Sequence, residues 1–192
     1  MKNIWKIKEF GDKIQNRIMN YSDIEILIRD VTNDDKTMLN PDVMDKIAIQ
    51  TKKYIENKEI VQLIMSRIYE DGKNWRRLYK TLLLIEYLIL HGSNNFINSM
   101  RNHIYEISKL SGFHHIDDSG KDCGINVKFK VEKLTTLLKN DLNIRTERKN
   151  AQNLKNKLCG VSHTPIHYKN KNSQDEGWNN QNPVNEIVGI VQ

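Results

Sequence analysis

The chain has 192 residues and a formal net charge of +6, with a pI near 9.2, which is room for one ordinary domain and a polar extension. Its two cysteines, Cys123 and Cys159, are too few for a disulfide framework or a zinc site and read as reduced thiols of a cytosolic protein. The most apolar run, LLLIEYLIL from Leu82 to Leu90, falls far short of the ~20 residues of a membrane span, so any membrane contact is expected to be peripheral. The opening MKNIWKIKEF has neither a continuous apolar stretch nor a small-residue cleavage site, and no secretory signal is expected.

Helical periodicity dominates, with no succession of alternating strands. A first helix is expected over about Asn3 to Met19. Ser22, with Glu25 three residues on, has capping-box spacing and starts a second helix, with Ile24, Ile28 and Val31 facing inward and Leu27 beside them. Asn40-Pro41 reads as an N-cap followed by proline at the first helical position, opening a helix through about Ile55. Another runs from about Lys58 to Asp71, where Gly72 is a suitable stop. Lys73 to His91, ended by Gly92, is the core candidate, because its second half is apolar nearly all round. A helix from Asn94 or Asn95 to Leu110 follows, then the turn-rich DDSGKDCG. The last two helices cover about Asn126 to Lys139 and Leu142 to Leu158. Seven or eight helices with short loops suggest a compact stack or a short right-handed superhelix.

Beyond Gly160 the composition turns to Asn, Gln, Lys and Ser, so residues 161–192 are expected to be disordered. They hold two of the thirty basic and three of the twenty-four acidic residues. The extension therefore carries −1 and the rest of the chain +7. A basic fold suits an anionic partner such as nucleic acid, phospholipid or an acidic protein. On charge alone it equally suits a soluble surface with no such partner.

No catalytic pattern is present: there is no Gly-rich phosphate loop, no H-E-x-x-H and no Gly-x-Ser-x-Gly. The pair His114-His115 is poorly spaced for a helical metal site, and His91 and His103 read as surface or satisfied residues. No enzyme activity, metal or cofactor is expected. The informative segment is KNWRRLYK, Lys73 to Lys80. At about 100° per residue, Lys73, Arg77 and Lys80 share one stripe with Arg76 at its edge, and Trp75, Leu78, Tyr79 and Leu82 gather opposite. Like charges at i, i+4 and cations in a first turn both cost stability. Such a helix start suits an anion, although a solvated charged face would read the same way.

The N-terminal segment adds an independent pattern. Ile4, Ile7, Phe10, Ile14 and Ile18 share an apolar arc bordered by Lys6, Lys13 and Arg17, as in an interfacial amphipathic helix and as in any helix docked on a core. Nucleic-acid binding is disfavoured, because Trp75 and Tyr79 point away from the basic residues and leave no stacking platform.

The segments NYSDIEILIRDVTNDD (Asn20 to Asp35), DGKNWRRLYKTLLLIEYLILHGS (Asp71 to Ser93), DDSGKDCGINVKFKVEKLTTLLKND (Asp117 to Asp141) and IRTERKNA resemble the epsin N-terminal homology (ENTH) domain over about residues 1–160. NIWKIKEFGDK and TNDD are most similar to its epsin-related branch, also called enthoprotin or clathrin interactor. The resemblance implies an all-α, right-handed superhelical solenoid of about eight helices over residues 20–160. It is preceded by an amphipathic helix, residues 1–19, that folds on lipid. It further implies a phosphoinositide head-group site at Arg29, Arg67, Lys73, Arg77 and Lys80, with Arg77 standing where plasma-membrane epsins carry histidine.

Asp12 and Gln15 stand where those epsins have helix cations, Asp34 where they have an assisting asparagine, and DDKTMLNPD replaces Asp-Pro-Trp-Gly. The first two departures favour a less charged lipid such as phosphatidylinositol 4-phosphate. The implied role is a membrane adaptor in clathrin-coated vesicle formation, cytoplasmic and peripheral on trans-Golgi or endosomal membranes, with clathrin and a clathrin adaptor complex as partners. The alternatives are a plasma-membrane endocytic epsin, or a module binding a SNARE or cargo with incidental lipid binding. DEGW, Asp175 to Trp178, has the acidic-aromatic character of adaptor-ear ligands and equally of a chance match.

Overall fold

A computed structural model describes residues 21–69, 74–117 and 120–161, with side chains as far as Lys157. The expected helix over Asn3 to Met19, the Gly72 stop and the extension beyond residue 161 lie outside the described residues. Within them the chain forms eight α-helices, one 3-10 turn and a lone β-bridge between Ile116 and Asp122, with no strand. The expected all-α architecture is what is found.

Helix α1 is Asp23–Val31. The Ser22 hydroxyl accepts the Glu25 N–H at 3.1 Å, and Asp23 and Glu25 complement the helix dipole from the first turn. Ile24, Ile28 and Val31 are buried and Leu27 is half-buried, as the periodicity predicts. Helix α2, Pro41–Gln50, is capped by Asn40, whose side chain accepts the Asp42 N–H at 2.9 Å.

Two expected boundaries are corrected. Helix α2 stops at Gln50 rather than Ile55, and α3 is Tyr54–Ile68 rather than beginning near Lys58. The break sits at Thr51, which has no exposed surface. Its hydroxyl donates to the Ala48 carbonyl (2.6 Å) and accepts the Ser93 N–H (2.8 Å), while its carbonyl accepts the Ser93 hydroxyl (2.7 Å). Contacts 42 residues away in sequence fix where this helix ends.

Helix α4, Trp75–His91, ends at Gly92 as expected. The segment expected as one helix to Leu110 is instead α5 (Asn94–Asn102), α6 (Ile104–Lys109) and a 3-10 turn over Leu110–Gly112. The chain turns at His103, whose N–H bonds the Met100 carbonyl three residues back. The redirected α6 buries Ile107 completely and packs on α7. Gly120, at φ +81°, closes the turn that follows with its N–H on the Asp117 carbonyl, a conformation that favours glycine. Helices α7 (Gly124–Lys139) and α8 (Asp141–Val161) complete the fold.

The core is built around α4, which packs against α2, α3, α5, α7 and α8. Leu82, Leu84, Ile85, Leu88 and Ile89 expose no surface. Glu86 interrupts this run and is answered from α7 by Lys130 at 2.7 Å and Lys133 at 2.9 Å. Burial alone would push the Glu86 carboxyl up, but the two lysines outweigh it and hold it below its ordinary value.

Thr51→Val keeps the shape of the side chain and leaves the buried Ser93 N–H without its acceptor. The substitution is expected to cost roughly 1–3 kcal/mol, read in urea denaturation as a lower midpoint at unchanged slope.

Candidate anion-binding site

The short α3–α4 connection and the packing of α1 on α3 bring three helix ends together. Arg29 lies in the last turn of α1, Arg67 in the last turn of α3, and Arg77 and Lys80 in the first two turns of α4. A hydrogen bond from the Lys80 ammonium to the Asn33 side-chain oxygen, 2.6 Å, ties α4 to the segment after α1. Of the five residues expected at the site, these four occupy one end of the helical layer; Lys73 lies outside the described residues. So do the insertion residues Ile4, Ile7, Phe10, Ile14 and Ile18 and the accessory cations Lys6, Lys13 and Arg17.

The α4 N-terminus is electrostatically open. Asn74, its N-cap, makes no side-chain cap bond, and the first turn contains no acidic residue. Among the described residues of that turn nothing acidic therefore opposes an anion at the positive end of the helix dipole. By contrast α1 begins with a serine cap and two acidic residues.

The cations differ in availability. Arg29 is half-exposed, paired with Glu25 at 2.8 Å and stacked over the Tyr21 ring at 4.1 Å. Arg67 is buried, with 7% of its surface exposed, and Arg77 is half-buried. Arg76 lies over the Trp75 ring at 4.8 Å, and that ring meets His115 at 6.2 Å. Trp75 is thus engaged by packing, as the helical wheel predicts.

Lys80 corrects the expectation of an exposed basic stripe. Only 7% of its surface is exposed, because α4 is enclosed nearly all round and the Lys80 face meets the segment after α1. Burial pushes its ammonium below the ordinary lysine value, and Asp35, Asp34 and Asp30 work against that shift. Sequence reading missed Asn33, which is 47 residues from Lys80 and carries no local signal. It also took Glu25 for the capping box alone, although the i, i+4 spacing to Arg29 was legible. Among the described residues no group of three His, Cys, Asp or Glu side chains could hold a metal, and no helix is long and apolar enough to cross a membrane.

A family model for the ENTH domain matches residues 21–144. The chain belongs to the ENTH domain family. The human protein Clathrin interactor 1 is 44% identical over 163 residues, covering 84% of this chain and 26% of the relative. The chain therefore spans about a quarter of that relative's length. The crystal structure of the human epsinR ENTH domain aligns with a TM-score of 0.66 at 41% identity, covering 69% of this chain and 98% of that one. The ENTH domain of epsin-2, solved in complex with phosphatidylinositol 4,5-bisphosphate, aligns with a TM-score of 0.67 at 31% identity, covering 71% and 96%. The resemblance to the epsin-related branch is borne out.

Asn33→Ala strips the buried Lys80 ammonium of its acceptor. It is expected to lower stability by roughly 1–3 kcal/mol, measured by thermal or urea unfolding, without loss of helical circular dichroism.

Proposed function

We propose that this ENTH domain is the phosphoinositide-reading part of a membrane adaptor acting in clathrin-coated vesicle formation. The observation that carries the reading is the placement of Arg29 and Arg67 in the last turns of α1 and α3, and of Arg77 and Lys80 in the first two turns of α4, whose first turn holds no acidic residue. Cationic side chains at an acid-free helix N-terminus match a phosphorylated head group. Support comes from the epsin-2 ENTH domain, solved with a phosphoinositide, and from the relative named Clathrin interactor 1.

In this reading Lys73 completes the site. Residues 1–19 supply an amphipathic anchor whose apolar arc enters the headgroup boundary. The adaptor works peripherally at trans-Golgi or endosomal membranes, with clathrin, an adaptor complex and a SNARE as candidate partners. The acidic cluster Asp30, Asp34 and Asp35 acts on Lys80, and it supports a singly phosphorylated head group over a bisphosphate.

Vesicle co-sedimentation tests the reading. The chain is expected to pellet with phosphatidylinositol 4-phosphate vesicles, less with bisphosphate vesicles, and scarcely with plain phosphatidylcholine. Lys73→Glu with Arg77→Glu is expected to lower binding tenfold or more. Equal binding to phosphatidylcholine, or no loss in the charge-reversed variant, would refute the head-group assignment.

A further inference from the structure

Helix α8 is attached to the domain mainly by polar contacts. Among its described side chains only Ile144 is buried, while Leu142 and Leu154 remain 70% and 56% exposed. Its first anchor is Arg148. The Arg148 guanidinium donates from Nε to the Ile89 carbonyl (2.7 Å), from Nη2 to the Gly92 carbonyl (2.8 Å) and from Nη1 to the Asn94 side-chain oxygen (3.1 Å). It thereby satisfies carbonyls at the α4 C-terminus that lack intrahelical partners. The second anchor is Lys155, which donates to Oδ2 of Asp45 at 2.7 Å, while Oδ1 of Asp45 accepts the Tyr87 hydroxyl at 2.6 Å.

His91, the last residue of α4, belongs to both anchors. Its ring packs on Tyr87 with centroids 4.3 Å apart, it is half-buried, and it is close enough to Asp45 on α2 and to Arg148 and Lys155 on α8 to feel all three charges. A cation at a helix C-terminus is ordinarily welcome. Here Arg148 already occupies those carbonyls, so a charged imidazole would be a third cation at a contact served by a single carboxylate.

We infer that α8 is a strap whose docking is gated by protonation of His91: the neutral imidazole tolerates Arg148 and Lys155, and the imidazolium displaces them and frees the helix from about Arg145 onward. Burial is what chiefly holds His91 below its ordinary value of 6.5; Asp45 pulls it up, and Lys155 and then Arg148 push it down. With α8 undocked both cations leave the ring, together with any burial that α8 gives it, so its value rises. Protons therefore bind the undocked form better. Docking is strongest above the ordinary histidine value and weakens as the pH falls below it. Asp45 adds no titration of its own in this range, because hydrogen bonds from Lys155 and Tyr87 hold its carboxyl below its ordinary value.

Hydrogen exchange of the 192-residue chain between about pH 7.5 and about pH 5.5, corrected for intrinsic rates, tests the strap. Amides of α8 beyond Arg145 are expected to lose protection several-fold on acidification while α4 amides do not, and His91→Gln is expected to abolish that dependence. Unchanged α8 protection in the unaltered chain, or the same loss in a folded His91→Gln variant, overturns the inference. A second reading needs no substitution at His91: its ring resonances should titrate below the ordinary value and move upward in Lys155→Met. Titration at or above the ordinary value in the unaltered chain also overturns it.

Discussion

A helix enclosed on every side must be apolar on every side, and the rest of this fold follows from how α4 meets that demand. Five of its aliphatic side chains have no exposed surface, each stabilising the fold by roughly 1.5–3 kcal/mol relative to exposure. Neighbours on five other helices supply the enclosure. Where α4 breaks the rule, at Glu86, the opposing helix compensates with two lysines. Removing one partner of such a half-buried group would leave charge without compensation. The packing of α7 on α4 therefore has one register in which both the apolar and the ionic contacts are made.

Enclosure of the middle of α4 leaves its two ends to carry the polar business of the domain, and they are treated oppositely. At the C-terminus the terminal carbonyls receive Arg148 from 59 residues away, a cation placed where the helix dipole favours it. At the N-terminus neither a side-chain cap nor an acidic residue is present, and cations sit where the dipole disfavours them. A sequence selected for stability alone would have treated both ends alike. That end is the one whose first two turns carry Arg77 and Lys80.

Much of this was legible before any coordinates. Ser22 with Glu25, Asn40 with Pro41, and Gly92 each mark a boundary by local chemistry, and each boundary stands where that chemistry puts it. What failed were boundaries decided by distant partners. Thr51 ends α2 because its hydroxyl and carbonyl are claimed by Ser93, and His103 turns the chain so that Ile107 can be buried against α7. Lys80 failed for a related reason. A helical wheel separates a polar face from an apolar one, but it cannot show that the polar face of a central helix also meets protein. The Asn33 contact that makes this tolerable comes from another part of the chain.

The burial of Lys80 also bears on which anion the proposed site would take. A lysine bonded to neutral Asn33 keeps its full charge, and Asp30, Asp34 and Asp35 stabilise that charge against burial. The same carboxylates repel whatever anion approaches. At a separation of about 8 Å each unit-charge pair is worth roughly 0.5 kcal/mol in water and about 2 kcal/mol nearer the protein surface. A second phosphate group adds about 1.5–2 negative charges, so its extra repulsion from each carboxylate amounts to roughly 1 to 4 kcal/mol. Attraction to the arginines grows with the added phosphate as well, but Arg29 is already shared with Glu25 and has less to offer it. Thus, at the proposed site, the acids that stabilise the charge of a buried lysine would also favour the less charged of two head groups.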